Sequence, residues 1–523
     1  IMKKSIKLLV VALAALQATS LVACGTKTKE NTPETLEIYI GDYGYGTSWL
    51  DKIITSFKEE AWVKEKYPNL IIPKPMTNST RTYAEDTINS EVTTIDLFIT
   101  TASAAPSFNK RGNNGKSLYE ELTDLYEATV PGESVTFAEK MDDYMLSQYK
   151  MDVVGIGEGY YSVPWVKGYL GLLYNKKITD KLGAAYKLPN TTDELIQMCQ
   201  DLKEIGETPF VFNTGEDYNS TIAGTWWAQY QGIDGVTDYW NGIHDGEYSP
   251  EIFRQQGRLE SLKVMEALFA ADTGNYDPKV NSWTFTQAQT QFLSGAGAMQ
   301  VNGDWFENET ADKAQYADTD IRFMKVPVVS AIKDRCDTIS DDATLSAVIA
   351  AIDGGATSYD GVTSEDFAIV KEARQTVSLL SGHDIYIPSY SNSVALAKDF
   401  LAYLATDKSI QTFTRETNGA IMPFEYNFET QSPSLYAELS DMQKEKLDIF
   451  KDAKIAPMAA LYKFSYYGGL SAYSQTKNLT KAFTAVNASE RKTAQQIFDD
   501  EYNFYTASNN EMFNQILTKM ELK

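Results

Sequence analysis

Residues 35–100 alternate between strand-like and helix-like segments, and this alternation restricts the possible fold more than any other feature. TLEIYI (35–40) is typical of a strand, and the glycine-rich GDYGYGTS (41–48) is typical of a loop. Apolar residues at helical spacing follow over 49–69. A strand at LIIPKPM (70–76), a polar helix and the apolar strand TIDLFIT (94–100) complete the series. This order predicts an α/β lobe with a mostly parallel sheet, in which ligands meet the loops at the carboxyl ends of the strands.

The N-terminal segment has the layout of a secretory signal. Lysines precede an apolar stretch at 8–16, and small residues lead to Cys24. The stretch is shorter than the roughly 20 apolar residues of a membrane-spanning helix. Because LVAC (21–24) resembles the lipobox of bacterial lipoproteins, we expect a signal peptide over 1–23 and lipidation of Cys24. Residues 24–34 read as a flexible tether that links the lipid anchor in the membrane to the folded domain.

Composition excludes several kinds of function. The 523 residues exceed what a single core usually holds, and a formal charge of −24 makes nucleic acid an improbable partner. With two histidines, three cysteines and no metal-type spacing, neither a zinc site nor a histidine-based triad is expected, and we expect no cofactor. Whether Cys199 and Cys336 pair stays open at this point.

Six motifs follow one another between about 35 and 425. They are TIDLFIT, LTDLY, YSVPWVKGYLGLLYNKK, LPNTTDELIQMCQDLKE, QFLSGAGAMQVNGDW and AKDFLAYLATDKSIQTFTRETNGAIMPF. Each is loose alone, but their order resembles the extracellular solute-binding lipoproteins of carbohydrate ABC importers, bacterial family 1. The sequence departs from the family pattern at 190–192, where a common tryptophan is missing, and at 331–382, which is longer and has no assigned role.

The resemblance implies a two-lobed, periplasmic-binding-protein-like α/β fold of type II with a ligand cleft between the lobes. It implies that 35–165 and 331–420 form lobe I, and that 166–330 and 421–523 form lobe II. We expect the chain to cross between lobes near 164–168, 326–330 and 418–423. Proline or glycine in these segments suits a hinge that closes around a ligand.

Sugar recognition requires aromatic faces and planar polar side chains. Trp305 in NGDW matches the family's cleft-facing tryptophan, with Asp304 and Asn302 beside it. Asp42 and Tyr43 follow the first strand. Trp226 and Trp227 are adjacent on a helix and therefore point about 100° apart, so we expect one ring in the cleft and the other in the core. The remaining candidates are Trp165, Tyr169, Tyr466, Tyr467 and Ser103, and core packing is the competing interpretation for each ring.

The prediction is therefore a monomeric, lipid-anchored receptor on the outer face of the bacterial cell membrane. It would capture an oligosaccharide and deliver it to the permease subunits of an ABC importer, without covalent chemistry. Two alternatives stay open: a surface lipoprotein that binds or degrades glycans, and the same fold with a peptide, amino acid or polyamine as ligand. A glycosidase needs a pair of carboxylates about 5–10 Å apart, and no local motif presents one.

Overall fold

A computed structural model describes residues 34–113, 115–313, 315–468 and 478–521. In chain order its strands are β1 Ile38–Gly41, β2 Met76–Asn78, β3 Leu97–Ile99, β4 Lys150–Val153, β5 Gly157–Tyr160, β6 Val163–Pro164, β7 Leu170–Asn175, β8 Ile243–His244, β9 Glu247–Tyr248, β10 Met299–Gly303, β11 Ile321–Met324, β12 Thr376–Val377, β13 Asp384–Tyr386 and β14 Lys454–Ile455. The signal, the tether up to residue 33 and Cys24 lie outside the described residues.

Helices make up most of the remaining regular structure. The α-helices are Ser48–Glu59, Ala61–Lys66, Tyr83–Asn89, Thr123–Tyr126, Phe137–Lys140, Asp143–Tyr149, Lys176–Thr179, Thr192–Glu204, Tyr218–Gln231, Ile233–Asn241, Gln256–Phe269, Phe285–Leu293, Phe306–Thr310, Asp342–Asp353, Ser364–Gln375, Val394–Leu404, Asp407–Glu416, Phe428–Gln431, Pro433–Glu438, Asp441–Phe450, Lys463–Gly468, Leu479–Thr484 and Ala494–Lys519. The last of these is broken at Ala507–Asn510, where the backbone leaves the helical conformation.

The first sheet has the strand order β2-β1-β3-β13-β6. β1 is parallel to β2 and β3, whereas β13 is antiparallel to both β3 and β6. Trp49, Ile53 and Phe57 lie on one face of the helix Ser48–Glu59 and are buried against this sheet. β2 begins later than predicted, at Met76, because the predicted strand contains Pro73 and Pro75, which cannot donate ladder hydrogen bonds.

The second sheet has the order β10-β7-β11 and is antiparallel throughout. All six residues of β7, LGLLYN, are buried. The helices Tyr218–Gln231 and Gln256–Phe269 share a hydrophobic cluster with this sheet, which we call the second core. The cluster around β1 and the helix Val394–Leu404 is the first core. The chain is thus α/β, as predicted.

The chain crosses between the sheets at 165–169, between β6 and β7, as predicted. The backbone N–H of Trp165 donates to His383 O (3.1 Å), and that of Leu380 donates to Gly168 O (2.8 Å). A second crossing therefore runs at 378–383, beside the first. The predicted crossing at 326–330 instead stays within the second core, where the N–H of Val328 donates to Asn190 O.

The third crossing also differs from the prediction. The apolar side chains of Ala420, Met422 and Phe424 belong to the first core. The chain reaches the second sheet only with the helix Asp441–Phe450, where Glu445 accepts a hydrogen bond from the N–H of Phe323 in β11 (3.0 Å). The third transfer of the chain between the two halves therefore lies near 440.

Two segments pack in a different half from the one expected. Leu345, Val348, Phe367 and Val370, from the two helices within 331–382, lie in the second core rather than with lobe I. Residues 424–439 pack in the first core through Phe424, Phe428, Leu435 and Leu439, although we expected them in lobe II.

Both remaining cysteines are free thiols, Cys199 buried and Cys336 partly buried. Burial raises the pKa of each thiol, that of Cys336 to about 11. Within the described part of the chain, no helix is long and apolar enough to cross a membrane.

Candidate functional site

A cleft of about 680 Å³ opens between the two sheets, beside the crossing segments. The first half of the molecule contributes Asp42, Tyr43, Gly44, Tyr45, Gly46, Arg81 and Thr101. The second half contributes Glu216, Tyr218, Thr221, Phe285, Trp305, Asn308 and Glu309. The start of β7 supplies Leu170, and the crossing segment at 378–383 supplies Leu380, Ser381 and His383. The cleft therefore lies at the carboxyl end of β1, where the sequence analysis expected a ligand to meet the loops.

The loop after β1 forms one wall. The N–H of Gly46 donates to Tyr43 O (2.7 Å), and Gly46 has a φ of +64°, which favours glycine. The Tyr43 ring folds back over Gly41, where a Cβ atom would lie 2.2 Å from the ring. These two glycines let the loop turn sharply enough to place Asp42 and Tyr43 in the cleft lining, where they were predicted.

Trp305 forms the facing wall. Its indole occupies the space left by Gly44 and Gly303, since a Cβ on either glycine would lie within about 2.5 Å of the ring. Tyr45 and Tyr218 meet the ring edge-on, with centroids 5.5 and 6.3 Å away. Trp305 is only 7% exposed, but it lines the cleft. Its predicted position facing the cleft agrees with this geometry.

Asp304 and Asn302 lie behind this wall rather than in the cleft lining. Tyr45 Oη donates to Asp304 Oδ1 (2.5 Å), and Lys446 Nζ lies 3.4 Å from Asp304 Oδ2. Asn302 is inside β10, where its Nδ2 donates to Gln300 Oε1 (3.1 Å).

Burial raises the pKa of Asp304 and lowers that of Lys446. Both shifts come mainly from loss of hydration, and each group is the other's charged partner. Asp304 also joins the two halves through Tyr45, which stands in the loop that carries Tyr43. We therefore interpret Asp304 as a group that positions the cleft walls.

The second wall contains residues that the sequence analysis missed. Tyr218 is the first residue of its helix, two positions after Glu216, and its ring meets Phe285 edge-on at 5.4 Å. Burial raises the pKa of Tyr218, and Glu309 and Glu216 add to this effect. Phe210 forms a parallel bridge with Met299 of β10 and so lies at the edge of the second sheet. The rule that ligands meet the loops at the ends of strands would therefore have pointed to the loop at 213–217, which follows Phe210 in the chain.

His383 forms part of the cleft floor. Its imidazole packs against Gly168, where a Cβ would lie 2.5 Å from the ring, and edge-on to Tyr45 and Trp165. Burial lowers the pKa of His383 to about 4, so the ring is neutral near pH 7. The sequence analysis did not single out His383, because nothing in its neighbourhood indicated two crossing segments.

Three predicted tryptophans lie in the cores instead. Trp165 stacks on Trp49 at 5.5 Å and donates from Nε1 to Thr100 O (2.8 Å). Trp226 donates to Pro327 O (3.2 Å), and Trp227 donates to Gln255 Oε1 (2.9 Å). Both faces of the helix Tyr218–Gln231 are covered at these positions, so neither ring reaches the cleft lining.

The other predicted residues also lie outside the cleft lining. Tyr169 is buried between Phe323 and Phe450. Ser103 caps a short turn, where its Oγ accepts from the N–H of Ala105. Tyr466 donates to Asp152 O (3.2 Å) and packs against Tyr467. These positions follow from tertiary packing that local motifs do not encode.

The lining of the cleft is chemically mixed. Aromatic faces alternate with hydroxyl, amide, carboxylate and guanidinium groups. In the described ranges, no group of three or more histidine, cysteine or acidic side chains is arranged to hold a metal ion. Such a surface suits a ligand with both apolar faces and many hydrogen-bonding groups.

Comparisons with known proteins address the family. A model of bacterial extracellular solute-binding proteins matches residues 96–411, more than half of the chain. The multiple sugar-binding protein of Streptococcus mutans is 22% identical over 189 residues. That match covers 36% of this chain and 44% of the relative, so the chain spans less than half of that protein's length.

Solved structures extend the comparison to the fold. A probable secreted solute-binding lipoprotein from Streptomyces coelicolor superposes with a TM-score of 0.59 at 13% identity, over 91% of this chain and 100% of that one. RafE from Streptococcus pneumoniae, in its apo form, gives a TM-score of 0.58 at 17% identity, over 93% and 100% of the two chains. The predicted two-lobed, periplasmic-binding-protein-like fold is confirmed, and the chain belongs to the bacterial extracellular solute-binding proteins.

Proposed function

We propose that the protein captures a sugar, and specifically an oligosaccharide, in the cleft between its two halves. The observation that carries this proposal is the pairing of Trp305, Tyr218 and Tyr43 with hydrogen-bonding side chains around one cavity. Pyranose rings present flat C–H faces that stack on aromatic rings, and their hydroxyl groups pair with planar polar side chains. A volume of about 680 Å³ lies within the usual range for small-molecule sites.

The relatives support this ligand class. The Streptococcus mutans protein is described as a multiple sugar-binding protein. A structure of RafE contains raffinose, and another similar structure is a chitin oligosaccharide-binding protein. A peptide or polyamine receptor remains the alternative with the same fold, and the ligand panel below separates the two.

The protein would act outside the cytoplasm and deliver its cargo to the permease subunits of an ABC importer. Lipidation of Cys24 would hold it on the outer face of the cell membrane as a monomer. It would bind and release the sugar without chemical change, because stacking and hydrogen bonds supply the binding free energy. Cys24→Ser should release the protein from membranes, and retention of this variant in the membrane fraction would contradict the anchor.

A ligand screen tests the sugar proposal. The chain from residue 25 onward is melted with maltotriose, cellotriose, raffinose, xylotriose, chitotriose, single amino acids, peptides and polyamines. A saccharide at about 100 times its dissociation constant should stabilise the fold by about 2.7 kcal/mol. Chromatography should then recover that saccharide unchanged. Stabilisation only by charged nitrogen compounds would overturn the sugar assignment, and shortened products would make the protein a glycan-degrading enzyme.

A further inference from the structure

The lining of the cleft carries more acidic than basic side chains. Asp42, Glu216 and Glu309 are carboxylates in the lining, and Arg81 contributes a guanidinium. Among the residues that the structure describes, none of these four forms an ion pair with another side chain. Their charges are therefore not paired directly within the described chain and act on whatever enters the cleft.

Glu309 is the best-fixed of these carboxylates. Gln289 Nε2, on the buried face of the helix Phe285–Leu293, donates to Glu309 Oε2 (2.7 Å). In the described chain the second carboxylate oxygen has no hydrogen-bond partner. Burial raises the pKa of Glu309, and its charge in turn contributes to the raised pKa values of Tyr45 and Tyr218. The carboxylate is thus held among the aromatic rings of the cleft, where a ligand group meets it.

Other basic side chains near these carboxylates lie outside the cleft lining or carry no charge. Lys313 Nζ donates to the backbone carbonyl of Glu309 (3.0 Å), and its charge favours the ionised form of the Glu309 carboxylate, but Lys313 does not line the cleft. His383 is neutral near pH 7, because burial lowers its pKa to about 4. Lys446 is enclosed behind the wall and pairs with Asp304. Arg81 is left as the cation of the lining, against three acidic side chains. In a partly enclosed site such an imbalance acts more strongly than on an open surface.

From this arrangement we propose that the cleft selects saccharides by charge. It accepts uncharged and amino-substituted sugar units, and it rejects units that carry a carboxylate, with Glu309 as the main specificity-determining residue. The inference rests on the proposed sugar-binding function and specifies its substrate class. A sugar unit with a carboxylate would be repelled by three carboxylates and attracted by a single arginine. An ammonium group would be attracted by the three carboxylates and repelled only by the arginine.

The test uses a matched ligand series. The starting compound is the tightest-binding neutral hexose oligosaccharide of a panel that includes maltotriose, cellotriose and raffinose. Oxidation of its primary hydroxyls gives the carboxylate, esterification of that product gives a neutral methyl ester of nearly the same shape, and amination gives the 6-amino analogue. Calorimetry then measures each dissociation constant. We expect the carboxylate to bind at least about 10-fold more weakly than its ester, and the amine to bind at least as tightly as the parent.

Variants assign the effect to residues. The ratio compared between variants is the dissociation constant of the carboxylate divided by that of its ester. Glu309→Gln keeps the side-chain shape and should reduce this ratio at least about 3-fold, whereas Arg81→Gln should increase it. Glu425→Gln, which removes a carboxylate outside the cleft lining, should leave the ratio unchanged. A carboxylate that binds within about 2-fold of its ester, or a ratio unaffected by Glu309→Gln, would overturn the inference. If no saccharide binds at all, the proposed function fails instead.

Discussion

The indoles of Trp305 and Trp226 are both nearly buried, yet their N–H groups differ in hydrogen bonding. Trp226 Nε1 donates to a backbone carbonyl, and the N–H groups of Trp227 and Trp165 are likewise bonded to protein oxygens. Trp305 Nε1 has no hydrogen bond within the described chain, and its ring lines the cleft. Trp49 Nε1 is unpaired among the described residues too, but that ring is fully enclosed by the first core. The combination of an unpaired polar end and a position in the cleft lining therefore distinguishes Trp305 from the core rings.

The core member of this comparison should show the largest effect. Trp226→Ala removes a ring that is 1% exposed within the second core. We expect the free energy of unfolding to fall by about 3–5 kcal/mol. Denaturant titration measures this loss, and Trp226→Phe serves as a milder variant that folds. Saccharide affinity of the folded fraction should not change, and a specific loss of affinity would place Trp226 in the site.

Asp384 sharpens the comparison, because it adjoins His383 in sequence but is enclosed by the core. Tyr149 and Tyr386 donate hydroxyl hydrogen bonds to its carboxylate (2.6 and 2.9 Å). Burial nevertheless raises the pKa of Asp384 to about 6, from 3.8. The folded state therefore holds this proton more tightly than the unfolded chain does. The contribution of Asp384 to stability is complete below about pH 4 and is lost as the pH rises through 6.

Asp384→Asn removes this titration. The unfolding free energy of the variant minus that of the wild type should increase by about 2.4 kcal/mol between pH 4 and pH 7. Urea denaturation at the two pH values measures the change. A difference that stays constant across this range would show that the carboxylate is hydrated and does not belong to the core.

Trp305→Ala should act mainly on binding. Loss of the stacking surface should weaken saccharide affinity by about 1–3 kcal/mol. The unfolding free energy should also fall, because the ring packs on Gly44 and Tyr45, but by less than in Trp226→Ala. Calorimetry and denaturation on the same samples separate the two effects. Unchanged affinity with a large stability loss would place Trp305 with the core rings.

Tyr43→Phe should give the smallest effect. The ring stays over Gly41, and only the hydroxyl is lost, for which no partner exists in the described chain. Affinity should fall by about 0.5–1.5 kcal/mol, the usual net value of one hydrogen bond. The melting temperature without ligand should stay unchanged. A variant that binds as tightly as the wild type would place the hydroxyl outside the ligand contacts.

Features of this molecule that depend on residues close together in the sequence could be predicted, whereas those that depend on contacts between distant segments could not. The alternation over 35–100 predicts the parallel strands β1, β2 and β3, but not β6 and the antiparallel β13, which come from distant segments. The loop after β1 predicts Asp42 and Tyr43 and the NGDW motif predicts Trp305, because each depends on neighbouring residues, although the same motif wrongly added Asn302 and Asp304 to the lining. Arg81, Tyr218 and His383 come from distant segments that only folding brings together. The helix with Trp226 and Trp227 is covered on both sides, so its rings could not be assigned from helical spacing alone.

The central claim is that a saccharide binds against Trp305, and fluorine NMR tests it most directly. The eight tryptophans are labelled with 5-fluorotryptophan, and Trp305→Phe and Trp226→Phe assign the two resonances. The tightest-binding saccharide of the panel is then titrated. We expect the Trp305 resonance to move most and that of Trp226 to stay nearly fixed. A Trp305 resonance that stays in place while that of Trp226 moves would contradict the account.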